Sequence, residues 1–144
     1  MNEISFIKMH GLGNDFVVVD ARAGDVALNS QRVRAVAERR LGVGCDQLLE
    51  ICPPQSDDAA AFMRIWNADG GQVEACGNGA RCFAQFVRER GLSGQNVLRV
   101  ETAGGEIILY FEAEGIRVDM GLPVFEPANI PFQAEQQQLS YPVT

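Results

Sequence analysis

Four cysteines, one histidine and one lysine limit the chemistry open to this 144-residue chain. The segment best able to act is Glu74-Ala75-Cys76-Gly77-Asn78-Gly79-Ala80-Arg81-Cys82. Cys76 stands where Gly77-Asn78-Gly79 opens a run of helical periodicity, so it is expected at a helix start. There the first backbone N–H groups have no intrahelical acceptor, and the positive end of the helix dipole attracts an anion. The same field favours thiolate over thiol, and glycine lets a ligand come close to the backbone. One turn could then hold a carboxylate on the Gly77 and Asn78 amides while Cys76 faces the adjoining α-carbon. Taken alone, the segment reads more simply as a packing cysteine beside a Gly-Asn-Gly turn.

The remaining reactive residues are less suggestive. Lys8 falls in an apparent strand with no phosphate loop around it, so a pyridoxal-phosphate Schiff base has little support. Any histidine-based triad would have to pass through His10. Cys45, Cys52, Cys76 and Cys82 contain no Cys-x-x-Cys pair, so no metal site is expected. Cys45, Cys52 and Cys82 read as structural thiols; Cys82, six residues after Cys76, points to a different helix face. His10-Gly11-Leu12-Gly13-Asn14-Asp15 lacks the third glycine of a dinucleotide loop, and no Gly-Lys-Ser/Thr phosphate loop is present. Asn14, Gln47 and Asn67 each fall at the end of an expected element beside glycines, and each has a turn or loop reading of its own. Together with Cys76 they form a set suited to a zwitterionic amino acid: neutral amides to bind, few fixed charges and one tunable proton carrier.

The elements that must position this set follow from pattern. Strands are expected over Ile4 to Met9 and Phe16 to Val19, with His10 to Asp15 as the loop between them. A helix capped by Ser30 is expected to run to about Leu41, with Gly42 as a left-handed stop. Strands at Gln47 to Cys52 and Ala61 to Asn67 follow, the second ending in the Asn67-Ala68-Asp69-Gly70-Gly71 turn. The second helix should reach about Arg90, since Ala80, Phe83, Ala84 and Val87 keep the i, i+3, i+4, i+7 spacing. Three more strands, Val97 to Glu101, Glu106 to Phe111 and Ile116 to Met120, are separated by Gly104, Gly105 and Gly115. After Gly121-Leu122-Pro123, three prolines and the polar Gln133 to Gln138 stretch favour a linker. The sum is an α+β domain of mostly antiparallel strands around one or two helices.

Composition narrows the setting. The net charge is −7, and no stretch of eighteen apolar residues occurs. Nucleic acid and membranes are therefore not expected as partners. The start Met1-Asn2-Glu3-Ile4 lacks a basic region before an apolar run, so a cytoplasmic protein with reduced thiols is expected.

Four blocks, Lys8-Met9-His10-Gly11-Leu12-Gly13-Asn14-Asp15-Phe16, Gly44-Cys45-Asp46-Gln47, Trp66-Asn67-Ala68-Asp69-Gly70 and Cys76-Gly77-Asn78-Gly79-Ala80-Arg81-Cys82, resemble the diaminopimelate epimerase family in its own order. The resemblance implies a cofactor-free, pyridoxal-independent enzyme interconverting LL- and meso-2,6-diaminopimelate, in which one cysteine thiolate takes the α-proton and a second delivers a proton to the opposite face. Cys76 matches the first; Gly77 and Asn78 would hold the carboxylate, and Asn14, Gln47 and Asn67 would line the cleft. The implied fold is a pair of domains, each a set of antiparallel strands curled around a central helix. On that template residues 1–121 are the N-terminal domain, and 122–144 are a linker and the truncated start of the second. Cys45, Cys52 and Cys82 do not match the second base, so the chain alone is expected to be inactive. Two alternatives stand beside this: a non-catalytic module that pairs with a separate C-terminal half or with itself as a homodimer, and a related isomerase acting on proline or hydroxyproline.

Overall fold

The computed structural model describes residues 3–142; Met1 and Asn2, where the expected N-terminal domain begins, and the last two residues of the 122–144 segment lie outside it. The described residues form β1 (Ile7–Gly11), β2 (Asn14–Asp20), α1 (Ser30–Ala37), β3 (Gln47–Cys52), β4 (Ala61–Asn67), β5 (Gln72–Val73), α2 (Gly77–Glu89), β6 (Val97–Thr102), β7 (Gly105–Glu112) and β8 (Gly115–Asp119). One sheet runs β1-β2-β3-β4-β6-β7-β8, with β5 beside β4. Most pairings are antiparallel as expected, but β2–β3 and β4–β6 are parallel, so the sheet is mixed.

The strands at both ends of that order, β1 and β8, touch α2. A sheet whose two ends meet the same helix must curl around it. Inside the curl Phe16, Val18, Leu49, Ile51, Met63, Ile65, Leu98, Val100, Ile107 and Leu109 pack on Phe83, Phe86 and Val87 of α2. The alternate residues Val17, Val19, Leu48 and Trp66 point to the outer face, where Val33 and Ala37 of α1 cover them. β2 and β3 are thus buried on both faces and read as unbroken apolar runs, whereas β6 to β8 alternate between core and solvent. Glu50, only 4% exposed on the α1 side, accepts from Trp66 Nε1 at 2.9 Å and from Arg64 at 3.1 Å. Its charge is paired and hydrogen-bonded, as burial demands.

Five local expectations are corrected. β1 lies three residues later than expected at its start, and His10 to Asp15 is not a loop: β1 and β2 pair up to Gly11↔Asn14. The connection is Leu12-Gly13 alone, both with positive φ (54° and 85°), the backbone of a two-residue hairpin turn that a leucine does not advertise. α1 is capped by Asn29, whose side chain accepts from the Arg32 N–H at 2.9 Å, and Ser30 is its first helical residue. The helix stops at Ala37, not near Leu41, because Glu38 turns to an extended backbone and its carboxylate takes the N–H groups of Arg40 and Leu41. Gly42 is not left-handed; a Cβ there would sit 2.2 Å from the Ala35 carbonyl oxygen, so its place is set by close approach to the helix end.

α2 runs as expected, with Arg90 at its C-cap and Gly91 left-handed after it. Beyond β8 the described chain carries only a 3₁₀ turn at Pro127–Asn129. Among the described residues no helix is long and apolar enough to cross a membrane.

Candidate active site

β2 and β3 are parallel and β4 runs antiparallel to β3, so the start of β2, the start of β3 and the end of β4 share one edge of the sheet. Those three positions are Asn14, Gln47 and Asn67. Gln47 and Asn67 are direct register partners. The N-terminus of α2 arrives at the same edge, with Cys76 as its N-cap.

The approach of α2 depends on two glycines. A Cβ on Gly11 would lie 3.3 Å from Cβ of Asn78, and one on Gly79 would lie 3.1 Å from Leu49 Cδ2. Both are closer than ordinary van der Waals contact, so these positions let the first turn of the helix settle onto β1 and β3. On the remaining side Gly77 faces the Met120 sulfur, 3.4 Å from where its Cβ would be.

The side chains form one chain of contacts. Gln47 Nε2 donates to Asn67 Oδ1 at 3.0 Å. The Cys76 thiol donates to Gln47 Oε1 at 3.4 Å and lies 4.0 Å from Asn14 Oδ1. Asn78 Nδ2 donates to Asn14 Oδ1 at 3.3 Å. From the helix, the Gly79 N–H donates to the Cys76 sulfur at 3.4 Å. The N–H groups of Gly77 and Asn78, at the first two helical positions, have no intrahelical acceptor and remain available to an anion. All six expected site residues therefore meet in one half-buried cluster. The sulfur stands between a backbone donor and two side-chain acceptors, and so has a partner in either protonation state.

The other cysteines are elsewhere. Cys45 is buried in the α1-side core and Cys82 in the α2-side core, where burial pushes the Cys82 thiol up to about 11. Cys52 ends β3 at the edge opposite Gln47. Burial, and then the charge of Glu50, raise it to about 11. A cleft of about 390 Å³ lies toward the C-terminal end of α2, between Asp58, Phe86, Val87 and Arg99, and includes none of the site residues. Among the described residues no cluster of three or more His, Cys, Asp or Glu side chains is placed to hold a metal ion.

Three residues at this edge carried no expectation. Gly11 and Met120 touch the first turn of α2. Asp46 accepts from Asn14 Nδ2 at 3.2 Å. Asp46 stood beside Gln47 in a motif block, but nothing in the sequence indicated that it would meet Asn14 across a parallel strand pair.

The diaminopimelate epimerase family profile matches residues 6–126. The diaminopimelate epimerases of Azoarcus sp. (strain BH72) and Thioalkalivibrio sulfidiphilus (strain HL-EbGR7) are 52% identical over 141 residues and 56% identical over 142 residues. Each alignment covers 97% of this chain and 51% of the relative, so the chain spans about half the length of the curated relatives it matches. Among solved structures, a hydroxyproline epimerase from Agrobacterium vitis with bound trans-4-hydroxy-L-proline superposes with a TM-score of 0.62 at 16% identity, covering 78% of this chain and 40% of that one. At that identity the likeness is one of fold.

Proposed function

The chain belongs to the diaminopimelate epimerase family, and we propose that it is the N-terminal half of such an enzyme, with Cys76 as one of two acid–base thiols that interconvert LL- and meso-2,6-diaminopimelate. The reaction serves lysine and peptidoglycan-precursor biosynthesis in the cytoplasm and uses no cofactor. The observation that carries the reading is the placement of the Cys76 sulfur between the Gly79 N–H and the oxygens of Gln47 and Asn14.

An epimerase runs both ways, so each proton carrier must serve as base in one direction and as acid in the other. As base, the Cys76 thiolate takes the α-proton and leaves an electron pair on carbon, while the Gly79 N–H holds the sulfur as the reaction begins. As acid, the thiol returns a proton to that carbon, its S–H oriented beforehand by Gln47. The negative charge that develops on the substrate carboxylate lies against the Gly77 and Asn78 N–H groups and the helix dipole. Asn14, Gln47 and Asn67 bind the polar substrate without adding a fixed charge.

Inversion needs a donor on the opposite face. Cys45 and Cys82 are buried, and Cys52 lies at the far end of β3, roughly 16 Å from Gln47 at 3.3 Å per residue. The second thiol must then come from polypeptide beyond these 144 residues. The test is exchange of the substrate α-hydrogen in heavy water, with and without an added C-terminal half. The chain alone should give negligible epimerisation, and the complemented protein should turn over. Full turnover by the chain alone would overturn the two-thiol reading.

A second reading draws on the exposed Met120, Leu122, Val124 and Phe125: a non-catalytic module pairing with a separate C-terminal half or with a second copy. Complementation without exchange would favour it.

A further inference from the structure

We propose that Asp46 is a positioning residue that sets which end of the Asn14 amide faces Cys76. The inference deepens the acid–base reading of Cys76 and takes its catalytic meaning from it.

An asparagine side chain has two ends of nearly the same shape and opposite polarity, a carbonyl oxygen that accepts and an NH₂ that donates. The contacts around Cys76 are mostly between such groups. In the run Asn67–Gln47–Cys76–Asn14–Asn78, neighbouring amides could reverse together and still pair. A carboxylate cannot reverse, because when ionised it only accepts. Asp46 is that carboxylate: its Oδ2 lies 3.2 Å from Asn14 Nδ2. With the NH₂ end held there, Oδ1 of Asn14 is turned toward Asn78 Nδ2 and the Cys76 sulfur.

Asp46 is itself held from several directions. Its Oδ2 also accepts from the Asp15 N–H at 3.1 Å, and its own N–H donates to Asp15 Oδ1 at 2.8 Å. Its Oδ1 accepts from Arg39, whose guanidinium also spans both oxygens of Asp15. Lys8 adds a second cation on Asp15. This lattice of charges joins the start of β2 to the residue preceding β3, the two elements that carry Asn14 and Gln47. No hydrogen bond joins Asp46 to Cys76; the route proposed runs through Asn14, which meets both. With its oxygen turned inward, Asn14 offers an acceptor to the thiol and to a substrate ammonium group. Turned the other way, it would offer N–H groups that stabilise a thiolate and repel an ammonium.

The test uses the full chain and the rate of Cys76 alkylation by iodoacetamide at one fixed pH, read on the Cys76 peptide by mass spectrometry. Asp46→Asn removes the charge but keeps an acceptor oxygen for Asn14, since the Asp15 N–H, which only donates, holds the oxygen end on that side; Asp46→Ala removes both. The rate in Asp46→Ala should exceed that in Asp46→Asn roughly three- to tenfold, and this ratio should fall to about one when Asn14→Ala is added to each, as coupling through a shared partner requires. A ratio near one without the Asn14 change, or the same ratio with and without it, would overturn the inference. Should Asp46→Ala fail to fold, NMR decides. The side-chain NH₂ signals of Asn14 should move between the unmodified chain and Asp46→Asn, because an ionised acceptor is replaced by a neutral one; signals indifferent to that change would overturn the inference. The expected ratio without any substrate exchange in the complemented protein would leave this inference standing and sink the acid–base reading, whereas exchange without the ratio would do the reverse.

Discussion

Gln47 and Asn67 sit opposite each other across β3 and β4, and the amide of one donates to the amide of the other at 3.0 Å. That bond holds the NH₂ of Gln47 on the strand side and leaves Oε1 to face the Cys76 sulfur. Asn67 reaches the sulfur only by way of Gln47, yet it shapes what the sulfur meets. Replacing Asn67 by Ala should free Gln47 to rotate and weaken substrate binding by about 1 kcal/mol, the usual net worth of one hydrogen bond, or about fivefold in Kd. Gln47→Ala should cost at least as much, and the double variant should cost less than the sum of the two. Calorimetric titration of the complemented protein with diaminopimelate would check this; strictly additive losses would show that the two amides act independently.

The four thiols should differ sharply in reactivity. A thiol raised to about 11 holds roughly a hundredfold less thiolate near neutrality than one at its ordinary value near 9. Cys82 and Cys52 are in that position, and Cys45 is both buried and shifted upward by its burial. Iodoacetamide at pH 8 should therefore label the native chain once, at Cys76, and four times after unfolding in guanidinium. Peptide mapping over time would settle the matter, and comparable native labelling of Cys82 or Cys45 would contradict the placement of those side chains in the cores.

Legibility followed the range of the interaction. β3 and β4 have the bounds read from their apolar runs and flanking prolines and glycines, and α2 begins at Gly77 as its spacing required. These are local signals. The curl of the sheet is visible only once β1 and β8 are both found on α2. The parallel pairing of β2 with β3 is what brings Asp46 beside Asn14, and no local pattern reports a pairing between strands separated by a helix. α1 ended early because Glu38 used its side chain on the following turn, a competition that helical periodicity does not register. The candidate site residues could be singled out because each sits at an element end beside a glycine or turn; their mutual hydrogen bonds could not be read.

Cys76 has a structural duty separable from the proposed catalytic one, since its sulfur caps α2 by accepting from the Gly79 N–H. Serine is among the preferred N-cap residues, and replacing a good cap by alanine typically costs about 1 kcal/mol. Cys76→Ser should thus melt at or above the temperature of the unmodified chain, while Cys76→Ala should melt roughly 2–5 °C lower. Both should abolish α-hydrogen exchange in the complemented protein, because neither side chain ionises near neutral pH. Calorimetry and exchange measured on the same samples would separate the duties; exchange retained by Cys76→Ser would rule out the sulfur as the proton carrier.

Asp15 contributes a pH dependence that one substitution can isolate. Arg39 first, and then Lys8, hold its carboxyl well below the usual carboxylate range through charged hydrogen bonds of 2.8–3.0 Å. The folded chain therefore binds this proton more weakly than the unfolded chain, in which Asp15 titrates near 3.9. The stabilisation is complete above that value and fades as the pH falls below it, toward the lower native value. Asp15→Asn removes the linkage. The stability gap between the unmodified chain and Asp15→Asn should be constant from pH 5 to 7. Below about pH 4 it should shrink by no more than about 1.4 kcal/mol per pH unit, the limit for one proton. The gap should also narrow in high salt, because Lys8 and Arg39 reach solvent. Urea unfolding of both proteins from pH 2.5 to 7 would measure it. A gap that stays level through the acid range would mean that Asp15 is not held by its two cations, and the lattice that ties β2 to β3 behind Asn14 would have to be redrawn.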